Sequence, residues 1–242
     1  MREINLLESN PAIKRKVEAG WRTDENKEIA KRFDREFFDG DRINGYGGYY
    51  YDGRWKKVVK KLQELYNINS ESSVLDVGCG KGFLLFDLQD LIPGIMVGGL
   101  EISDYALNKS MDKYGEYAVR EGIETGEVLE IERKARNKVL PFLIKGSAEK
   151  LPWPDNSFDV VLSINTIHNL HEEECKTAIK EMIRVCKPGG HMFIQVDSYV
   201  TAEDKERMDN WILTAETVKS VEEWKDFFKE AGYDGDYYWT IV

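Results

Sequence analysis

The run Val74-Leu75-Asp76-Val77-Gly78-Cys79-Gly80-Lys81-Gly82-Phe83 restricts what this chain can fold into more than any other stretch. Val74, Leu75 and Val77 show no polar alternation beyond Asp76, which predicts a strand covered on both faces. Three glycines follow at every second position. There the backbone must turn sharply or let a ligand come close. The pattern predicts a strand, a glycine turn and then a helix.

Strand and helix patterns alternate from there on, as in a parallel sheet with crossover helices. The spacing places strands at about 73–77, 95–100, 141–145, 158–163 and 191–196, and helices near 82–91, 103–114 and 172–186. Lys187-Pro188-Gly189-Gly190 reads as the turn between the last of these helices and its strand. Residues 115–139 are long for a link, and their run around 127–136 predicts an added charged helix. At the end, an amphipathic helix from Val221 stops at Gly232, before a strand over 237–242. Residues 211–217 fit either a strand or an irregular lid. The fold class expected is α/β: a Rossmann-like, mostly parallel sheet with helices on both faces and an N-terminal helical lid. The organisation expected is a cap over 1–70 and a core over 71–242, with 115–139 inserted. Within the cap, a helix starting at Thr23 to Asn26 should end by Asp39-Gly40-Asp41. A Tyr/Gly stretch over 44–55 follows, and then a helix to Tyr66.

Three ligands compete for such a loop. A triphosphate loop needs G-x-x-x-x-G-K-S/T, but Gly82 follows Lys81 here. A dinucleotide loop needs a third glycine where Phe83 stands. Asp76 decides more than the glycines do. A carboxylate at the end of the strand gains nothing from a pyrophosphate but favours a cation, and S-adenosylmethionine carries a sulfonium and an ammonium. Glu101 ends the next strand, 25 residues on, close to the ~20 expected of an acid that accepts from ribose hydroxyls.

Four ordered motifs resemble class I S-adenosylmethionine-dependent methyltransferases, most closely the ubiquinone/menaquinone-methyltransferase-like group. They are 74–82, Gly98-Gly99-Leu100-Glu101-Ile102-Ser103, the stretch from Gly146 through Trp153 to Val161, and Arg184-Val185-Cys186-Lys187-Pro188-Gly189-Gly190. Residues 1–70 and 115–139 lie outside the resemblance. It implies that the backbone of Gly78, Cys79, Gly80 and Gly82 faces the methionine part of the cofactor, with Asp76 taking its ammonium. Glu101 would hold the ribose and Ile102 would pack on the adenine. Ser147, Ala148 and Glu149 would border the adenine edge, although the family often has an acid where Ser147 stands. Asn165 would lie beside the methionine moiety and the mouth of the substrate site. The implied cofactor is S-adenosylmethionine, with S-adenosylhomocysteine as product.

His168 is the candidate general base, because histidine titrates near neutrality. Tyr46, Tyr49, Tyr50 and Arg54 are the candidate substrate and lid residues, through aromatic faces and a guanidinium that can hold a carboxylate. His171-Glu172-Glu173-Glu174-Cys175 echoes a zinc motif but lacks a third strong ligand, so no metal is expected. The acidic triplet suits a helix N-terminus instead. The chain has 34 basic and 44 acidic residues, a formal charge of −10. That argues against nucleic-acid or anionic-membrane partners, which need a basic face. Three widely spaced cysteines favour a reducing cytoplasm, the polar start from Met1 to Asn10 is no signal peptide, and no apolar run nears a membrane span. The expected activity is O- or N-methylation of a small polar metabolite. The alternatives are a protein or nucleic-acid methyltransferase, or a non-catalytic binder of the cofactor. Oligomeric state is left open.

Overall fold

The computed structural model describes residues 1–9, 15 and 17–242. Its centre is a seven-stranded sheet: β1 (Ser73–Val77), β2 (Met96–Glu101), β3 (Leu143–Lys145), β4 (Phe158–Ile164), β5 (Cys186–Tyr199), β6 (Lys219–Ser220) and β7 (Asp236–Thr240). The order runs β3-β2-β1-β4-β5, with β6 and β7 both paired to β5. All registered strand pairs are parallel. The order reverses between β1 and β4, so a crevice opens at their carboxyl ends, where open α/β sheets bind ligands.

Apolar clusters cover both faces of the sheet. One packs the sheet against α3 (Trp55–Tyr66), α4 (Phe83–Leu91), α6 (Tyr114–Arg120) and α7 (Val128–Val139). The other packs it against α8 (Glu172–Val185) and α10 (Val221–Glu230). All five residues of β1 are buried, which is why its sequence shows no alternation. Helix starts are written locally: Ser220 and Glu223 form a capping box on α10, and Glu174 caps the His171 N–H at α8. The acidic triplet therefore belongs to a helix N-terminus. Among the described residues no His/Cys/Asp/Glu group could hold a metal.

Several expectations need correction. Lys187–Gly190 does not separate helix from strand. β5 already begins at Cys186, paired with Phe158, and residues 187–190 form a bulge before His191 pairs with Val160. The expected helix over 103–114 breaks into α5 (Asp104–Asn108) and α6, because Met111 and Lys113 adopt positive φ. β3 starts only at Leu143, after a 3₁₀ turn over Leu140–Phe142. Residues after α9 (Ala202–Trp211) are irregular, and the Glu216 and Thr217 N–H groups donate to the His168 carbonyl.

The described part of residues 1–70 is only partly helical. It contains α1 (Asp24–Ala30) and α2 (Arg35–Phe38), separated by Phe33 at φ +48°. Before them, Glu3 bridges Tyr237 and Leu6 is fully buried. Residue 10 of the polar start lies outside the described residues. No described helix is long and apolar enough to cross a membrane, and the three cysteines are free and buried.

Candidate cofactor and acceptor site

At the end of β1 the chain turns through Gly78, Gly80 and Gly82, all with positive φ. Gly78 admits no side chain, since a Cβ there would lie 2.1 Å from Thr166 Oγ1. The Gly78 and Cys79 N–H groups donate to the Leu100 carbonyl, which locks the turn to β2. Glu101 is buried, and it accepts from Gly80 N–H at 2.8 Å and Ser103 N–H at 2.9 Å. Burial pushes its pKa up, and these backbone bonds pull the other way. Each carboxylate oxygen keeps a second lone pair for a ligand hydroxyl.

Asp76 differs from Glu101. It is 6% exposed and makes none of the described hydrogen bonds; burial, then the nearby Glu101 charge, pushes its pKa up to about 7. A buried carboxylate without a partner is costly, so this end of the crevice favours a cation. Ile102, next along, is 50% exposed, an apolar face open for a flat ring. Ser147 Oγ donates to Glu149 Oε2 at 2.8 Å, beside the buried Ala148.

The Tyr/Gly stretch lies against the glycine loop. The Tyr49 ring stacks on Phe83 at 5.0 Å and touches Tyr46 at 4.7 Å. Burial lifts the Tyr49 phenol well above its ordinary value, so it stays neutral. Tyr50 is turned toward two lysines, Lys81 at 5.0 Å and Lys113 at 4.0 Å. The Arg54 fork is taken by Asp52, whose bonds raise its pKa.

The Tyr/Gly stretch and the helices before it are held by residues that carry no functional signal in the sequence. Lys81, inside the glycine loop, is fully buried, and its ammonium bonds Asp39 at 2.7 and 3.0 Å. Asp39 also accepts from Tyr105 Oη and Tyr49 N–H, and these partners together hold its pKa below the usual carboxylate range despite burial. Ser103 Oγ donates to the Phe33 carbonyl, and Tyr51 Oη donates to Asp87. A lysine among three glycines was the available signal; its partner, 42 residues earlier, was not visible in any local pattern.

Beyond β4, Asn165 adopts φ +53° and its Oδ1 accepts from Thr240 Oγ1, which accepts from Gln195 Nε2. His168 is buried. Its Nδ1 accepts the Asp197 N–H at 3.2 Å, so the proton sits on Nε2, 3.5 Å from Asp197 Oδ2. Burial lowers the His168 pKa although Asp197 opposes this, and the ring is neutral at pH 7. Nδ1, the lone-pair nitrogen a base would use, is thus taken by the Asp197 main chain, and Nε2 faces its carboxylate. Burial raises the Asp197 pKa, and His168, Arg15 and Arg22 counter it. One cavity of about 1320 Å³ joins Asp76, Glu101, Tyr49, Asn165, His168 and Asp197.

The sheet order, the glycine turn and the acid ending each of the first two strands define a crevice for a cationic nucleoside. A methyltransferase-domain family model matches residues 75–194. A tRNA (carboxymethyluridine(34)-5-O)-methyltransferase of Arabidopsis thaliana is 30% identical over 71% of this chain and 34% of its own length. A demethylmenaquinone methyltransferase of Listeria welshimeri is 29% identical over 69% of this chain and 61% of its own. The chain thus spans about a third and about three fifths of these two curated relatives. The solved structure of a candidate sarcosine dimethylglycine methyltransferase from Galdieria sulphuraria shares the fold: TM-score 0.53, 17% identity, 86% of this chain and 73% of that one. The methyltransferase domain over residues 75–194 is of the class I S-adenosylmethionine-dependent kind. The crevice fits the family's methyl donor: Asp76 lacks a cation, Ile102 is open, and at Gly80 a Cβ would already stand 3.3 Å from the Tyr49 ring.

Proposed function

We propose that this chain transfers a methyl group from S-adenosylmethionine to an oxygen or nitrogen of a small polar acceptor. The observation that carries the reading is the continuity of one cavity from Asp76 to Asp197. A site for a single ligand encloses roughly 300–1,000 Å³, so a volume of about 1320 Å³ leaves room for an acceptor beside the donor. When bound, the cofactor supplies a methyl group on a positively charged sulfur.

The chain's own residues hold, orient and deprotonate. Asp76 takes the donor's ammonium, Glu101 its ribose hydroxyls and Ile102 its adenine, while Ser147, Ala148 and Glu149 border that ring. The Gly78–Gly82 backbone and the Tyr46–Tyr49 pair close over the methionine part. Asp197 takes the acceptor's proton, and His168 is a positioning residue that fixes its carboxylate. Holding the reactants in line supplies ~7–11 kcal/mol, and a base adds roughly 10²–10⁴-fold.

Calorimetry with S-adenosylhomocysteine, followed by incubation with methyl-labelled donor and a metabolite extract, tests this. Label should enter small molecules, and Asp76→Ala and Glu101→Ala should weaken binding. Binding without transfer would leave a non-catalytic binder. The Arabidopsis relative favours a second reading, an RNA acceptor. Label that precipitates with acid and is released by ribonuclease would establish it.

A further inference from the structure

Three arginines of the N-terminal segment, Arg15, Arg22 and Arg42, line the cavity near Asp197, Trp211 and Leu213. Their described hydrogen bonds all go to main-chain carbonyls: Arg15 to Ile241 at 3.1 Å, Arg22 to Trp211 and to Arg42 at 3.4 Å, Arg42 to Tyr46 at 2.6 Å. Among the described residues, none of the three is in an ion pair. Other arginines of this acidic chain do find carboxylates: Arg2 with Asp236, Arg54 with Asp52, Arg133 with Glu130 and Arg184 with Glu181.

The trio is also crowded. Arg15 and Arg22 lie over the same Trp211 ring, at 4.9 and 5.5 Å to its centre. Arg22 Nε is buried with no hydrogen-bond partner. Burial, then the Arg42 charge, lowers the Arg22 pKa to about 10. Gathering guanidinium charges in a partly desolvated wall is unfavourable unless an anion completes the set. Asp197 is the carboxylate that Arg15 and Arg22 feel, but it forms an ion pair with neither. The cluster belongs to the β5 end of the crevice. β5 is two strands from β1, ~10 Å at the usual strand spacing. The carboxylate of the donor itself travels with the ammonium that Asp76 holds, so it does not satisfy these arginines.

We propose that the methyl acceptor is an anion whose carboxylate or phosphate is gripped by Arg22 and Arg42, with Arg15 behind them. The rest of the acceptor reaches back toward Asp197. The planar fork of arginine matches either oxyanion with paired hydrogen bonds. This deepens the methyl-transfer reading and rests on it.

The test uses the full chain saturated with S-adenosylhomocysteine and titrated calorimetrically with benzoate, phenyl phosphate and neutral benzamide. One of the two anions should bind at least about tenfold more tightly than benzamide, and which one does so tells carboxylate from phosphate. Arg42→Gln, at an exposed position, and Arg22→Lys should each weaken that anion about tenfold or more. Affinity for S-adenosylhomocysteine should stay within twofold. In parallel, the labelled product from extract should be retained on an anion exchanger at pH 7, less so where methylation esterifies the acid itself. Equal binding of benzamide and both anions, or a labelled product from a cationic acceptor, would overturn the proposal. So would a parallel loss of S-adenosylhomocysteine affinity, which would put the arginines on the cofactor. Failure of S-adenosylhomocysteine to bind the unmodified chain would instead refute the methyl-transfer reading beneath it.

Discussion

Asp76 should make the free protein less stable and the cofactor complex possible. Its folded pKa is about 7, raised by burial and Glu101, against an ordinary ~3.9 when unfolded. The folded state therefore holds this proton more tightly than the unfolded state does, and stability is lost as pH rises from about 4 to about 7. At pH 8 the cost is about 4 kcal/mol, from three pKa units at ~1.36 kcal/mol each. At pH 5 only about 1.5 kcal/mol remains. Asp76→Asn should thus raise the midpoint of thermal unfolding of the free protein by several degrees at pH 8, and by clearly less at pH 5. On the proposed reading the same change removes the partner of the donor's ammonium, so affinity for S-adenosylhomocysteine should fall roughly 10–100-fold. In the unmodified chain a bound cation demands the ionised carboxylate. Affinity should therefore drop about fifty-fold between pH 7 and pH 5, and Glu101, also raised, pushes the same way. Calorimetry across that range, with thermal unfolding of both proteins, reads all of this. A destabilised Asp76→Asn at pH 8, or pH-independent binding to the unmodified chain, would refute the reasoning.

Lys81→Met should destabilise by about 3–5 kcal/mol in urea titrations, because it leaves Asp39 buried and unpaired; adding Asp39→Asn should recover part of the loss. Gly78→Ala combines a clash with Thr166 and a backbone at φ +85°. Thr166→Ala placed with it should restore some stability but not all, as thermal unfolding would show. Asp197→Asn should lower the turnover of an identified acceptor by roughly 10²–10⁴-fold while leaving the affinity for S-adenosylhomocysteine near that of the unmodified chain. His168→Gln should move the pH–rate profile more than it moves KM.

The parallel sheet and the donor crevice were legible in the residues themselves, because their signals are local. A run buried on both faces loses its alternation, a turn with positive φ calls for glycine, and Asp76 and Glu101 sit beside such turns. The Ser220–Glu223 capping box is written within four residues. What escaped depended on partners distant in sequence. The 187–190 bulge is defined by register against β4, and the break inside 103–114 by two residues forced to positive φ. Lys81 looked like a spacer among glycines until Asp39 met it in the interior. His168 looked like a base until the fold brought the main chain and carboxylate of Asp197 to its two nitrogens. Arg15, Arg22 and Arg42 are unremarkable along the chain, and only folding gathers them on one wall with no ion pair among the described residues. Local sterics and periodicity choose the sheet and its glycine loop. Which charges are paired, and which are left facing the cavity, is settled only when segments far apart in sequence are buried together, because burial is what makes an unpaired charge costly.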